Sequence, residues 1–186
     1  VYLVAQGIKA FRAKRGMPLQ PGYTVATRNG RAMLARGSET ILVGPNTTFA
    51  LSAYRSNASQ TTLLQKKGKL TIDVAKRRKP HLTVETPFLA AVVKGTKFTV
   101  SVGQKTSKVS VERGLVEVND YASGDVANVG PGQSASTAPE VSVGLTVGGK
   151  TSPAVRAGSK RAPSFQTPAV QNVPGSSRST GSKTPS

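Results

Sequence analysis

The sequence predicts an all-β chain: a two-sheet sandwich or a short β-roll or solenoid of many short strands, followed by a disordered basic C-terminal tail. Three observations carry this. Apolar and polar residues alternate with period two over most of residues 20–135. Gly, Pro or Asn closes the alternating stretches at roughly 8–12-residue spacing. Helical periodicity is weak throughout, and β-branched residues dominate the apolar runs. Sandwich and roll both satisfy this pattern.

Taken in order, Val1 to Gln6 favours a strand, and residues 1–19 form an N-terminal strand region of the domain. Tyr23, Val25 and Thr27 lead into Arg28-Asn29-Gly30, a predicted turn in which Asn and Gly tolerate positive φ. Ala32 and Leu34 then alternate with Arg31 and Met33, and Ile41 to Val43 leads into Gly44-Pro45-Asn46. After a looser stretch, Ser52 to Gln60, Leu63-Leu64-Gln65 runs to Lys66-Lys67-Gly68; Leu70, Ile72 and Val74 follow on one face, opposite Thr71 and Asp73.

Leu82 and Val84 alternate up to Thr86-Pro87, where proline's missing N–H ends or edges a strand. Leu89 to Val93 is read as a strand. Phe98, Val100 and Val102, then Val109 and Val111, then Val116 and Val118 each share an inward face. Val141, Val143, Leu145 and Val147 form a candidate last strand, so the domain is expected over 20–148. From 149 to 186 Ser, Pro and Gly prevail. Such a stretch buries too little apolar surface to offset an ordering entropy of about 1–2 kcal/mol per residue.

The inventory removes much chemistry. The absence of Cys excludes disulfides, thiolate zinc sites and cysteine nucleophiles. His81 is the one histidine, which excludes a two-histidine metal site, and after Pro80 it reads as a surface or strand-start residue. Asn119 to Asp125 lacks the oxygen spacing of a calcium loop and reads as a turn. Glu112 and Glu117 are placed on adjacent strands facing solvent, without a cleft. The longest apolar run, Leu89 to Val93, is far short of the roughly 20 residues that span a bilayer. No enzyme, cofactor or metal is expected.

The formal net charge is +18, and the last 46 residues hold no acid at all. Two clusters stand out: Lys66, Lys67 and Lys69 before the Leu70–Val74 stretch, and Lys76, Arg77, Arg78 and Lys79 after it. Placed at opposite ends of one strand they would form a positive edge for an anionic polymer, a lipid surface or an acidic protein. The alternative is a set of solvated turns whose lysines block edge-to-edge aggregation. Nucleic acid is disfavoured, because the nine Phe and Tyr are not interleaved with the basic runs as a stacking platform requires.

The most specific stretch is Val84-Glu85-Thr86-Pro87, continuing through Val93-Lys94-Gly95-Thr96-Lys97-Phe98-Thr99-Val100. It resembles the V-x-T-P…V-x-G-T-x-F-x-V signature of the FecR domain, the periplasmic domain of the ferric-citrate regulator family. Tyr23 to Thr27 with Gly30-Arg31-Ala32, Val109 to Val118, and Gly132-Gln133 resemble further segments of that domain, in the same order.

The resemblance implies a stand-alone, exported, non-enzymatic module that binds a protein partner in the cell envelope, in signalling. A chain beginning at Val1 fits a removed signal peptide. The family's cytoplasmic and transmembrane segments have no counterpart here, and it supplies no catalytic residues. Thr86, Pro87, Gly95, Thr96 and Phe98 carry the likeness and are expected to serve the fold: Gly95 as a turn, Pro87 by its fixed φ, Phe98 as core. The alternative function is an envelope-associated structural or adhesive protein held by its basic clusters.

Overall fold

A computed structural model describes residues 1–5, 7–57 and 59–162. All its regular elements are strands. They form two layers. The first orders β2 (Phe11–Arg12), β1 (Tyr2–Val4), β3 (Thr24–Ala26), β6 (Thr48–Leu51), the N-terminal part of β7 (Thr61–Asp73), β8 (Leu82–Glu85), β9 (Leu89–Val93), β12 (Val116–Asp120), β13 (Val126–Val129) and β16 (Val155–Arg156). The second orders β4 (Ala32–Arg36), β5 (Glu39–Val43), the C-terminal part of β7, β10 (Lys97–Val102), β11 (Ser107–Arg113), β14 (Gln133–Ala138) and β15 (Ser142–Gly149). Only β7 and β8 run parallel, and the hydrogen-bonded network does not close into a barrel.

Alternation explains the core. In the second layer Val43, Leu70, Val100, Val109 and Ala135 stand in register across five strands, all buried. In the first layer Leu63, Val84, Ala91, Val118 and Ala127 do the same. Both rows belong to one apolar cluster, in which each fully buried Val or Leu contributes about 1.5–3 kcal/mol.

One strand joins the layers. Lys66-Lys67-Gly68 is not the expected turn: β7 continues through it, pairing with β6 and β8 before it and with β5 and β10 after it. The change of layer is made at Gly68 (φ 92°), next to a register shift that sets Thr48 opposite Lys67 but Phe49 opposite Gln65. Buried Gln65 clips the corner, its amide nitrogen donating to the carbonyls of Gly68 (2.9 Å) and Val100 (3.2 Å). Thr47 Oγ1 accepts from the amide of Lys69 at 3.0 Å. A Cβ on Gly68 would overlap Thr47 Cα and Oγ1.

Asn29-Gly30 also departs from expectation. Neither residue has positive φ, because β3 and β4 lie in different layers and the chain crosses between them instead of reversing. The reversal falls in the β4–β5 hairpin, at Gly37 (φ 59°). Past Gly149 the chain stays docked. β16 pairs with β13, Gln133 Nε2 donates to the Thr151 carbonyl at 2.8 Å, and Arg161 stacks 4.9 Å from the centre of the Tyr121 ring. Residues 163–186, the rest of the expected tail, lie outside the described residues.

Gly68→Ala is expected to destabilise the fold by about 2–4 kcal/mol, combining left-handed strain with the clash against Thr47. Gly37→Ala, where a Cβ meets nothing within 4 Å, is expected to cost only about 1 kcal/mol. Urea midpoints of the two variants against wild type make the comparison; equal losses would contradict the corner assignment.

Candidate functional site

The signature residues are absorbed into internal bonding. Thr86 is buried in the β8–β9 turn, where its hydroxyl donates to the Leu89 carbonyl (3.0 Å) and accepts from the Leu89 amide (3.0 Å) and Ser107 Oγ (2.9 Å). Pro87 occupies the turn itself, partly exposed. Thr96, fully buried, donates from Oγ1 to the Leu115 carbonyl at 3.0 Å. Phe98 lies in the core between Ile72 and Val111. Gly95 is required by close approach: a Cβ there would overlap the backbone of Lys76, and one on Gly114 would press on the Gly95 carbonyl oxygen.

The two basic clusters are not brought together. Lys69 and Lys76 are seven positions apart, about 20 Å of extended chain. Nor do they border an edge, since β7 has neighbours on both sides in both layers. Lys66, Lys67 and Lys69 mark the corner. Lys69 stands beside Ser101 on the outer face of the second layer, with Lys108 on the next strand. Lys76 to Lys79 lie past the other end of β7, where the Arg77 amide donates to the Lys94 carbonyl at 2.8 Å. Exposed Lys94 thereby joins this cluster, a neighbour that sequence spacing does not show.

Arg77 differs from its companions. Its guanidinium reaches Glu39 Oε1 (3.2 Å), where Arg36 (2.8 Å, to Oε2) and His81 Nε2 (3.2 Å) also converge. Glu39 and His81 are both buried, at one end of the core between the layers. Burial alone would raise the Glu39 carboxyl, but Arg36, Arg77 and His81 together hold it below the ordinary glutamate value. His81 is thus a strand-start residue as expected, immediately before β8, but it is not a surface one. Its Nδ1 has no partner among the described residues.

A second polar group lies on the outer side of the first layer. Buried Glu85 pairs with Arg55 from the loop before β7, and Tyr121 lies beneath Arg161. Burial and the nearby Glu85 carboxylate push the Tyr121 phenol up to about 12, against the opposing pull of Arg161. Glu112 and Glu117 are not on adjacent strands: β11 and β12 belong to different layers, and the two acids pair with Lys97 (2.7 Å) and Arg156 (3.0 Å). Of the stretch Asn119 to Asp125, Asn119 and Asp120 end β12, and Tyr121 to Asp125 form the β12–β13 turn. Asp120 is buried and accepts from Thr137 Oγ1 (2.7 Å) and from the Ser123 amide (2.8 Å).

Of the four strands that end the layers, β2 and β16 have two residues each, whereas β4 has five and β15 has eight. Beside β4, Met33 and Leu42 form an opposed pair on the outer face, 66% and 49% exposed. Sequence alternation marks Met33 as outward, but only the pairing of β4 with β5 shows that the two meet.

The FecR protein family profile matches residues 23–117, about half of the chain. No curated protein is similar enough to match. Among solved structures, a candidate anti-sigma factor from Parabacteroides distasonis is similar in fold in two crystal structures. One gives a TM-score of 0.59 at 16% identity, over 69% of this chain and 60% of that one. The other gives 0.58 at the same identity and coverage. The chain thus spans 60% of their length.

Two titrations test the polar groups. A carboxyl held low by the fold stabilises it above the ordinary glutamate range and loses that contribution as pH falls through the lowered value. Glu39→Gln is therefore expected to cost about 1–2 kcal/mol at neutral pH, with the gap to wild type closing in urea unfolding as pH falls below the ordinary glutamate value of about 4.3. The Tyr121 phenol, a raised acid, is expected to develop tyrosinate absorbance near pH 12; Tyr121→Phe should remove that step.

Proposed function

Because the chain belongs to the FecR protein family, we propose that it is a regulatory module of envelope signalling that acts by binding a protein partner outside the cytoplasm and catalyses no reaction. Its mode of recognition is strand addition at a free sheet edge, which supplies main-chain hydrogen bonds without any convergent side-chain site. The observation that carries this reading is the contrast between the layers. The first ends in two-residue strands on both sides, and the second ends in β4 and β15, long enough to template another chain. The signature residues support it indirectly: their hydroxyls and ring are spent on the fold, which leaves recognition to the surface strands.

A second reading draws on a different observation. Of the two basic clusters only Arg77 has an acidic partner; Lys66, Lys67, Lys69, Lys76, Arg78 and Lys79 form no ion pair among the described residues. These cations suit an envelope-associated role in which anionic polymer or lipid is held electrostatically. Salt separates the two. At about 0.5 M salt the screening length falls to a few ångströms, so binding through strand pairing is expected to persist. Adhesion through the lysines is expected to vanish, as measured by co-sedimentation with isolated envelope material at low and high salt.

A further inference from the structure

We infer that β4 is the acceptor edge, and that it takes an extended segment of a partner protein with apolar residues facing the layer and an acidic residue beside Arg31. The inference rests on the strand-addition reading above and names the place and the chemistry. β4 pairs with β5 alone, and none of its five residues is buried. Its open main-chain groups require an occupant in extended conformation. The side chains define the rest of the recognition. Ala32 and Leu34 point inward and pack only partly against the core, so they accept apolar residues from an added strand. On the outer face Met33 and Leu42 form an exposed apolar pair that a third apolar residue would cover.

Charge selects among occupants. Arg31, on the same face as Met33, is exposed and forms no ion pair among the described residues. Arg36, at the other end of β4, is already committed to Glu39 and Thr61. One open cation beside an apolar pair fits a segment with one acidic residue after its apolar run. A second copy of this chain, at +18, brings like charge instead. β15 is the weaker acceptor. Asp125 already takes the amide of Leu145 at 3.1 Å, Thr146 and Gly148 in the outer-face row of β15 are not apolar, and exposed Val143 falls at the irregularity of the β14–β15 ladder, with no aligned partner on β14 to form an apolar pair.

The test is an amide chemical-shift titration of the full chain, into the millimolar range, with the synthetic peptide Ser-Thr-Val-Leu-Val-Glu-Ser and its counterpart carrying Lys in place of Glu. Shifts are expected at Ala32–Arg36, with the Glu peptide binding about threefold more tightly than the Lys peptide, the scale of one exposed charge pair. Arg31→Glu is expected to reverse that preference. Because the two peptides are compared on one folded protein, the result does not depend on the variant alone. Shifts confined to residues 142–149, or a preference unchanged by Arg31→Glu, would overturn the assignment to β4 while leaving strand addition in place. Shifts at neither strand would overturn strand addition itself.

Discussion

The bend of β7 at Gly68 is the constraint on which both layers depend. A thirteen-residue strand that serves first one layer and then the other sets the position of each against its partner, because β6 and β8 take register from one part and β5 and β10 from the other. An ordinary residue does not reach φ 92° at low cost, and even a methyl group there meets Thr47. The neighbouring Gln65 satisfies two carbonyls that the change of direction would leave buried, one of them from β10. Corner geometry, main-chain satisfaction and the joining of the layers are thus one local event.

Charge is distributed by the same architecture. Six of the eight acids are in ion pairs: Glu39, Asp73, Glu85, Glu112, Glu117 and Glu140. Asp120 and Asp125 accept hydrogen bonds that tie down the turn between β12 and β13 and the middle of β15. With the acids engaged in holding strands and loops, lysines and arginines outside any ion pair are left exposed among the described residues, including those at the corner of β7 and beyond its far end. Exposed charges of this kind contribute little to stability and much to encounter with anionic surfaces.

Family identity and the proposed binding surface lie on different residues. Thr86, Gly95, Thr96 and Phe98 are held by internal hydrogen bonds, close backbone approach or burial, so substitution there alters folding first. The strands that end the second layer each have one side without a neighbouring strand, and side chains open to solvent. A fold of this kind can keep its signature while its edges diverge to suit different partners.

Much of this was legible in the sequence. Period-two alternation located the inward faces of β8, β10, β11 and β12, because strand side chains alternate whatever their partners are, and the spacing of Thr86-Pro87 and Gly95-Thr96 marked the family. Local pattern misled where chemistry typical of a turn served another purpose. Lys66-Lys67-Gly68 became a bend within a strand, and Asn29-Gly30 a crossing between layers. The meeting of Glu39 with His81 and Arg77, of Met33 with Leu42, and of Lys94 with the cluster beginning at Lys76 was decided by tertiary structure alone. The alternation of a single strand fixes which way each side chain faces, but which strand lies alongside it depends on loop crossings and on the free energy of the assembled core.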